Sequence, residues 1–130
     1  MSEEEFVKER DEGRFLETTV YSKYFYGTSE KQIDPIIEKG NIAVIPVDIC
    51  GALTIKNTYK SKALLVSTER TKEMILLDII QRQVSDDDKI NRIMSLDYEL
   101  RNGELCDIAV NFDEGVDACV SKIRKAAELH

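Results

Sequence analysis

IAVIPVD, residues 42–48, is the stretch on which the fold turns. It is a nearly continuous apolar run, as expected of a strand covered on both faces. ALLVS, residues 63–67, and LCDIAVN, residues 105–111, are two more runs of the same kind. Helical patterns lie between and after them. Thr68 is placed to cap a helix over 69–83, whose Met74, Ile75, Leu76, Leu77, Ile79 and Ile80 are apolar on more than one face. Ser85 followed by three aspartates is a helix start, because acids suit the positive end of the dipole. That helix carries Ile90, Ile93, Met94 and Tyr98 on one stripe and stops at Gly103. A last helix, 114–129, is expected to turn Val116, Val120, Ile123 and Ala127 inward. Strands alternating with helices indicate an α/β fold with a mainly parallel sheet. Pro46 cannot donate to a ladder, so one side of 42–48 should lack a partner there.

Upstream, residues 3–12 read as a helix ending near Gly13, a natural position for a left-handed cap. Residues 14–26, RFLETTVYSKYFY, are rich in aromatic and β-branched types and read as two short strands joined near 21–23. SEKQ, residues 29–32, fits a capping box. Pro35 should shorten or kink the helix it opens, and Gly40 closes it.

A chain of 130 residues is expected to form one domain. No apolar run approaches the ~18 residues of a membrane span. The acidic start MSEEEF has no apolar stretch behind it, which leaves the cytoplasm as the default location. A formal charge of −7 argues against general nucleic-acid or anionic-membrane binding, but allows one anionic ligand met by a local Arg and Lys cluster. Cys50, Cys106 and Cys119 show no CxxC spacing, and His130 is the only histidine and the last residue. Free buried thiols are therefore expected, with no Cys/His metal site and no Ser-His or Cys-His dyad inside the fold.

Four groups of residues can carry chemistry. In open parallel sheets, ligands bind beyond the carboxyl ends of strands, where Asp48 and Asn111 fall; such an Asp also serves as a turn or cap residue. Glu17 and Asp48 are carboxylates of the kind that can accept from N1–H and N2–H₂ of guanine, whereas adenine presents a lone pair at N1; Glu17 by itself also reads as a solvated strand glutamate. A wrong base would strand a buried polar group at roughly 1–3 kcal/mol. YFYGTS, residues 24–29, offers a phenol and two hydroxyls around Gly27; it also reads as core aromatics, a tight turn and an N-cap. Arg82 and Arg92 flank the 83–88 loop and suit phosphoryl oxygens, although arginines there also make ordinary surface pairs. A P-loop needs GxxxxGK[ST], and none of the glycines at 13, 27, 40, 51, 103 and 115 is followed by lysine.

SEEEF, GRFLE, YFYGTS, IAVIPVDICGA, KINRIMSLDYEL and CDIAVNFD fall in an order and spacing that resembles the guanylate kinases, from residue 2 to about residue 126. The resemblance implies a truncated P-loop-kinase-like α/β fold whose P-loop strand is missing. Within a single domain over 1–130, residues 14–40 would form a small strand-rich GMP-binding subdomain and 69–103 lid-like helices. By the same resemblance Glu17 and Asp48 read guanine, Tyr26 holds the monophosphate, Thr28 touches the base, and Arg82 and Arg92 are catalytic lid arginines. Asn111 would lie near the adenine side.

Departures from the family accompany the match. The P-loop portion and two phosphate-binding arginines have no counterpart in the chain. Pro46 and Cys50 replace an Asp and a Gln of the family. A further lid arginine maps to Asp78, a charge reversal, and the double proline after the next strand is replaced around 68–69. Family members use ATP and Mg²⁺; this chain alone is expected to hold no cofactor and no metal, and to be incompetent as a kinase. A monophosphate would then meet mainly Tyr26, with Lys23 or Arg14. Three readings stay open: a split guanylate kinase that retains its GMP-binding and lid half, a non-catalytic module that binds a protein or phosphopeptide partner, and a fold with no ligand. A homodimer that buries helix 69–83 or the open edge beside 42–48, or a complementing segment, is the expected assembly.

Overall fold

A computed structural model describes residues 1–21 and 23–128. His130 and Ser22, which lies in the expected 21–23 turn, fall outside the described residues, as does Leu129 of the expected last helix. The chain forms two compact units, one over Met1–Ala63 and one from Leu64 onward.

The first unit opens with α1, Glu3–Asp11. The Ser2 hydroxyl accepts from Glu5 N–H at 3.2 Å, and the Glu5 carboxylate accepts from Ser2 N–H at 2.9 Å, a complete capping box. β1, Glu17–Tyr21, and β2, Tyr24–Thr28, pair antiparallel with Glu17 opposite Thr28 and Thr19 opposite Tyr26. Strand alternation puts Glu17, Tyr26 and Thr28 on one face and Phe25 and Gly27 on the other. On that second face Phe6 stacks on Phe15 at 4.6 Å and meets Phe25 at 5.4 Å. Gly27 is therefore not a turn residue. It lies inside β2, where a Cβ would sit 2.9 Å from the Phe15 ring. Tyr24 does not pack either; it is 68% exposed.

α2, Glu30–Glu38, follows Ser29, with Gln32 accepting from Ser29 N–H at 3.1 Å. Pro35 is held within the helix, which ends three residues later and closes through Gly40 at φ +75°. Residues 42–48 then overturn the expectation of a strand. The segment joins no ladder among the described residues, and Ile42 and Val44 are 80% and 89% exposed. An apolar run becomes a strand only where a neighbouring strand takes its N–H and C=O groups, and Pro46 offers no donor.

The next residues form a helix that the apolar pattern did not announce: α3, Ile49–Tyr59, with Asp48 as its N-cap. The Tyr59 hydroxyl donates to Asp34 Oδ1 at 2.8 Å, which ties α3 to α2. Phe6, Ile33, Ala52 and Ala63 are the buried apolar residues of this unit.

In the second unit β3, Val66–Glu69, pairs parallel with β4, Ile108–Asn111, from Val66 opposite Ile108 to Glu69 opposite Asn111. Asp107 extends the pair by accepting from Leu65 N–H at 2.8 Å. Thr68 lies inside β3, so the cap of α4, Lys72–Gln81, is Thr71 instead, and the helix starts later than its apolar content suggested. α5, Asp86–Asn102, starts as expected from Ser85, whose hydroxyl accepts from Asp88 N–H at 3.2 Å. Its Ile90–Ile93–Met94–Tyr98 stripe is exposed and Leu96 is the buried residue. α6, Val116–Glu128, faces inward through Cys119, with Val116, Val120 and Ala127 exposed rather than buried. Leu65, Ile79, Leu96, Val110 and Cys119 form the core of this unit. Burial stabilises it by roughly 1.5–3 kcal/mol per large side chain. The fold is α/β, with a parallel pair in one unit and an antiparallel hairpin in the other. No described helix is long and apolar enough to cross a membrane.

Candidate functional site

The first unit brings together residues that lie far apart in sequence. Thr28 Oγ1 donates to Glu17 Oε1 at 2.7 Å across the hairpin, on partly buried ground. Gly51 N–H donates to Asp48 Oδ1 at 2.8 Å, as an N-cap requires. Gly51 also faces Glu17: a Cβ there would sit 3.0 Å from Glu17 Oε2 and 3.2 Å from its Cγ. The first turn of α3 thus holds Asp48 by its amide and receives Glu17 against its bare Cα. Two carboxylates converge on one glycine, and one of them, Glu17, holds the Thr28 hydroxyl. Tyr26 shares the strand face of Glu17 and Thr28 and is 51% exposed.

The expected phosphate helpers are less well placed. Arg14 is taken by acids near it, pairing with Glu12 and approaching Glu9 at 3.6 Å. Lys23 stands in the hairpin connection at φ +71°.

In the second unit Arg82 and Arg92 line one cleft of about 220 Å³ with Arg70, Asp78, Glu99, Ile75 and Ile79. Helix geometry explains this. Asp78 and Arg82 are one turn apart near the end of α4, and Arg92 and Glu99 are two turns apart on α5. Lys72 binds Asp97 at 2.7 Å and joins the two helices. Arg70 pairs with Asp78 and lies 3.5 Å from Asp113 Oδ1 through its Nε. These contacts, the Asp78 hydrogen bond first, raise its already high pKa.

Asn111 is at the end of β4, where its Oδ1 accepts from Asp113 N–H at 2.9 Å and its carbonyl accepts from the Cys119 thiol at 3.2 Å. All three cysteines are free, but only Cys119 is buried; Cys50, in the first turn of α3, is exposed.

Gly51 and Arg70 are the residues that reading by type passed over. Gly51 had a signal: it stands three residues after a capping Asp. Arg70 had one too, a positive charge eight residues before an aspartate that stands where an arginine was expected.

Comparison with known proteins identifies the family. The structure matches a crystal structure of guanylate kinase from Anaplasma phagocytophilum with a TM-score of 0.75 over 99% of this chain and 62% of that one, at 16% identity. The fold is thus shared with about two thirds of that chain. The family profile for guanylate kinase matches residues 1–128, and the chain belongs to the guanylate kinase family. Among its relatives are the guanylate kinases of Chlamydia felis, 34% identical over 74 residues (57% of this chain and 36% of the relative), and of Caldanaerobacter subterraneus subsp. tengcongensis, 29% identical over 123 residues (95% and 60%). That of Thermotoga maritima is 27% identical over 128 residues (95% and 62%). The chain spans less than two thirds of the length of these relatives.

Proposed function

We propose that this chain is the acceptor-binding and lid portion of a guanylate kinase. GMP would be read by Glu17, Thr28 and Asp48 and held at its phosphate by Tyr26. Arg82 and Arg92 would serve phosphoryl oxygens. The observation that carries this reading is the convergence of Glu17 and Asp48 on Gly51. Glu17 keeps Oε2 beyond its bond to Thr28, so it can still accept from a guanine N–H. Thr28 has spent its proton on Glu17 and can only accept. A carboxylate pair joined to an accepting hydroxyl favours a base edge made of donors, which is guanine rather than adenine.

The same reading holds that the chain alone does not convert ATP and GMP to ADP and GDP. ATP would lack the phosphate cradle of a P-loop kinase, since the 130 residues contain no GxxxxGK[ST]. Activity would require a complementing segment that supplies the phosphate cradle. Alternatively, two copies would bury the outward Met74, Leu77 and Ile80 of α4 in a homodimer; a clean monomer by light scattering sinks that arrangement. The cytoplasm is the setting that a nucleotide substrate implies.

Calorimetric titration of the chain with GMP, AMP and a phosphopeptide tests the binding claim. GMP binding without AMP binding supports it; phosphopeptide binding alone replaces it with a non-catalytic interaction module. Incubation with ATP, GMP and magnesium should give no GDP, and turnover at ordinary kinase rates overturns the second claim.

A further inference from the structure

We infer that Arg70 is a third anion-binding arginine of the Arg82–Arg92 cleft, and that Asp78 is its built-in competitor. This rests on the reading of Arg82 and Arg92 as phosphoryl-binding residues. Where the family resemblance placed a lid arginine, position 78 carries Asp, and the missing guanidinium returns from the loop after β3. All three arginines line the same cleft of about 220 Å³.

Arg70 is the most sheltered partner in its ion pairs, with its side chain 28% exposed against 46% for Asp78. Its Nη1 is taken by Asp78 and its Nε faces Asp113. A guanidinium has five donors, so Nη2 keeps two for another acceptor. A planar two-point grip on phosphate needs Nη2 together with Nη1 or Nε, so it requires displacing Asp78 or Asp113, and the class of ligand is a polyphosphate oxyanion.

Asp78 has two effects of opposite sign. It fixes the orientation of Arg70, and it neutralises a charge that the ligand would otherwise meet. Three guanidinium groups share the cleft with two carboxylates, Asp78 and Glu99. An incoming phosphate must compete with Asp78 for Arg70, so the chain should bind polyphosphate more weakly than its arginines would allow. A chain whose Asp78 charge is removed should bind it better. Removal of Asp78 leaves Arg70 its contact with Asp113 at 3.5 Å, so no sheltered charge is left unpaired.

The test is calorimetric titration of the chain with inorganic tripolyphosphate at low salt, after circular dichroism has shown each variant folded. Arg70→Gln should weaken binding about tenfold, as loss of a charge-assisted pair does. Asp78→Asn should tighten it several-fold. Asp97→Asn, which removes an exposed carboxylate outside the cleft lining, should leave it within about twofold, because a screened surface charge matters little. Arg82→Gln separates the two claims. Weakening by Arg82→Gln without opposite shifts from Arg70→Gln and Asp78→Asn overturns this inference and leaves the lid reading in place. Equal tightening by Asp97→Asn also overturns it, since bulk charge would then explain the effect. No binding by the unsubstituted chain or by Asp78→Asn overturns both.

Discussion

The Thr28 hydroxyl and the Glu17 carboxylate face each other across the β1–β2 hairpin, joined by a hydrogen bond of 2.7 Å. Their register is set by strand pairing, so each fixes the rotamer of the other before any ligand arrives. A carboxylate held in this way loses less rotamer freedom on binding than a free one. The same bond commits the hydroxyl proton to Glu17 and leaves Thr28 Oγ1 as an acceptor.

Gly51→Ala probes the other side of Glu17. The new methyl would stand 3.0 Å from Glu17 Oε2 and 3.2 Å from Val47 Cβ, so the carboxylate must move by a few tenths of an ångström. Alanine also favours a helix over glycine by roughly 0.5–1 kcal/mol. The two effects oppose each other in stability and not in binding. Urea unfolding should shift by less than about 1 kcal/mol, while GMP affinity falls. A full retention of GMP affinity would show that Glu17 is not held against α3 in the bound state.

Asp48 caps α3 and, under the proposed reading, also meets the ligand; substitution can separate the two. Its Oδ1 caps α3 through Gly51 N–H, and Oδ2 has no hydrogen bond among the described residues. Asp48→Ala should cost about 1 kcal/mol through loss of the cap. Asp48→Asn keeps an oxygen for Gly51 and gives up only the favourable charge at the helix start, roughly 0.3–1 kcal/mol. The amide also puts donors where guanine has donors. Asp48→Asn should therefore damage GMP binding more than it damages the fold, as read by calorimetry beside denaturant melts. Equal damage to both would leave Asp48 with a structural duty alone.

The local signals of this fold were legible where one residue type has one physical role. Ser85 before three aspartates started α5, and Ser29 and Gln32 opened α2. The hairpin followed from β-branched and aromatic content. What could not be read was anything set by a partner element. IAVIPVD has the content of a buried strand, yet its ladder depends on a neighbour that no local pattern describes. Gly27 has the sign of a turn, and only the approach of Phe15 shows why it is glycine. Asp48 was picked out for its place at a strand end, but it reached the site as a helix cap. Its meeting with Glu17 required a helix, α3, that apolar periodicity did not reveal.

Lys23 stores conformational cost in the hairpin. At φ +71° its backbone is in the left-handed region, which costs an L-residue roughly 1–2 kcal/mol. Lys23→Gly removes that cost but adds freedom to the unfolded chain, for a net gain of roughly 0.5–1 kcal/mol. Lys23→Val should destabilise, because a β-branched residue tolerates this region least. Urea midpoints of the two variants should move in opposite directions from the parent chain.

Tyr59 makes the stability of the first unit sensitive to alkali. Burial and then the hydrogen bond to Asp34, with the Asp34 charge behind it, raise its pKa from 10.0 to about 12. Between these values the unfolded chain has lost the phenolic proton and the folded chain keeps it. The folded state then binds more protons, so stability falls as pH rises. The contribution is complete below about pH 10 and lost as pH passes about 12. An ultraviolet titration should show a late phenol ionisation from Tyr59. Asp34→Asn removes the neighbouring charge and should bring that tyrosine back toward the ordinary range. Tyr59→Phe should remove the late step altogether and flatten the loss of stability between the two pH values. A late step that survives in Tyr59→Phe would assign it to another tyrosine.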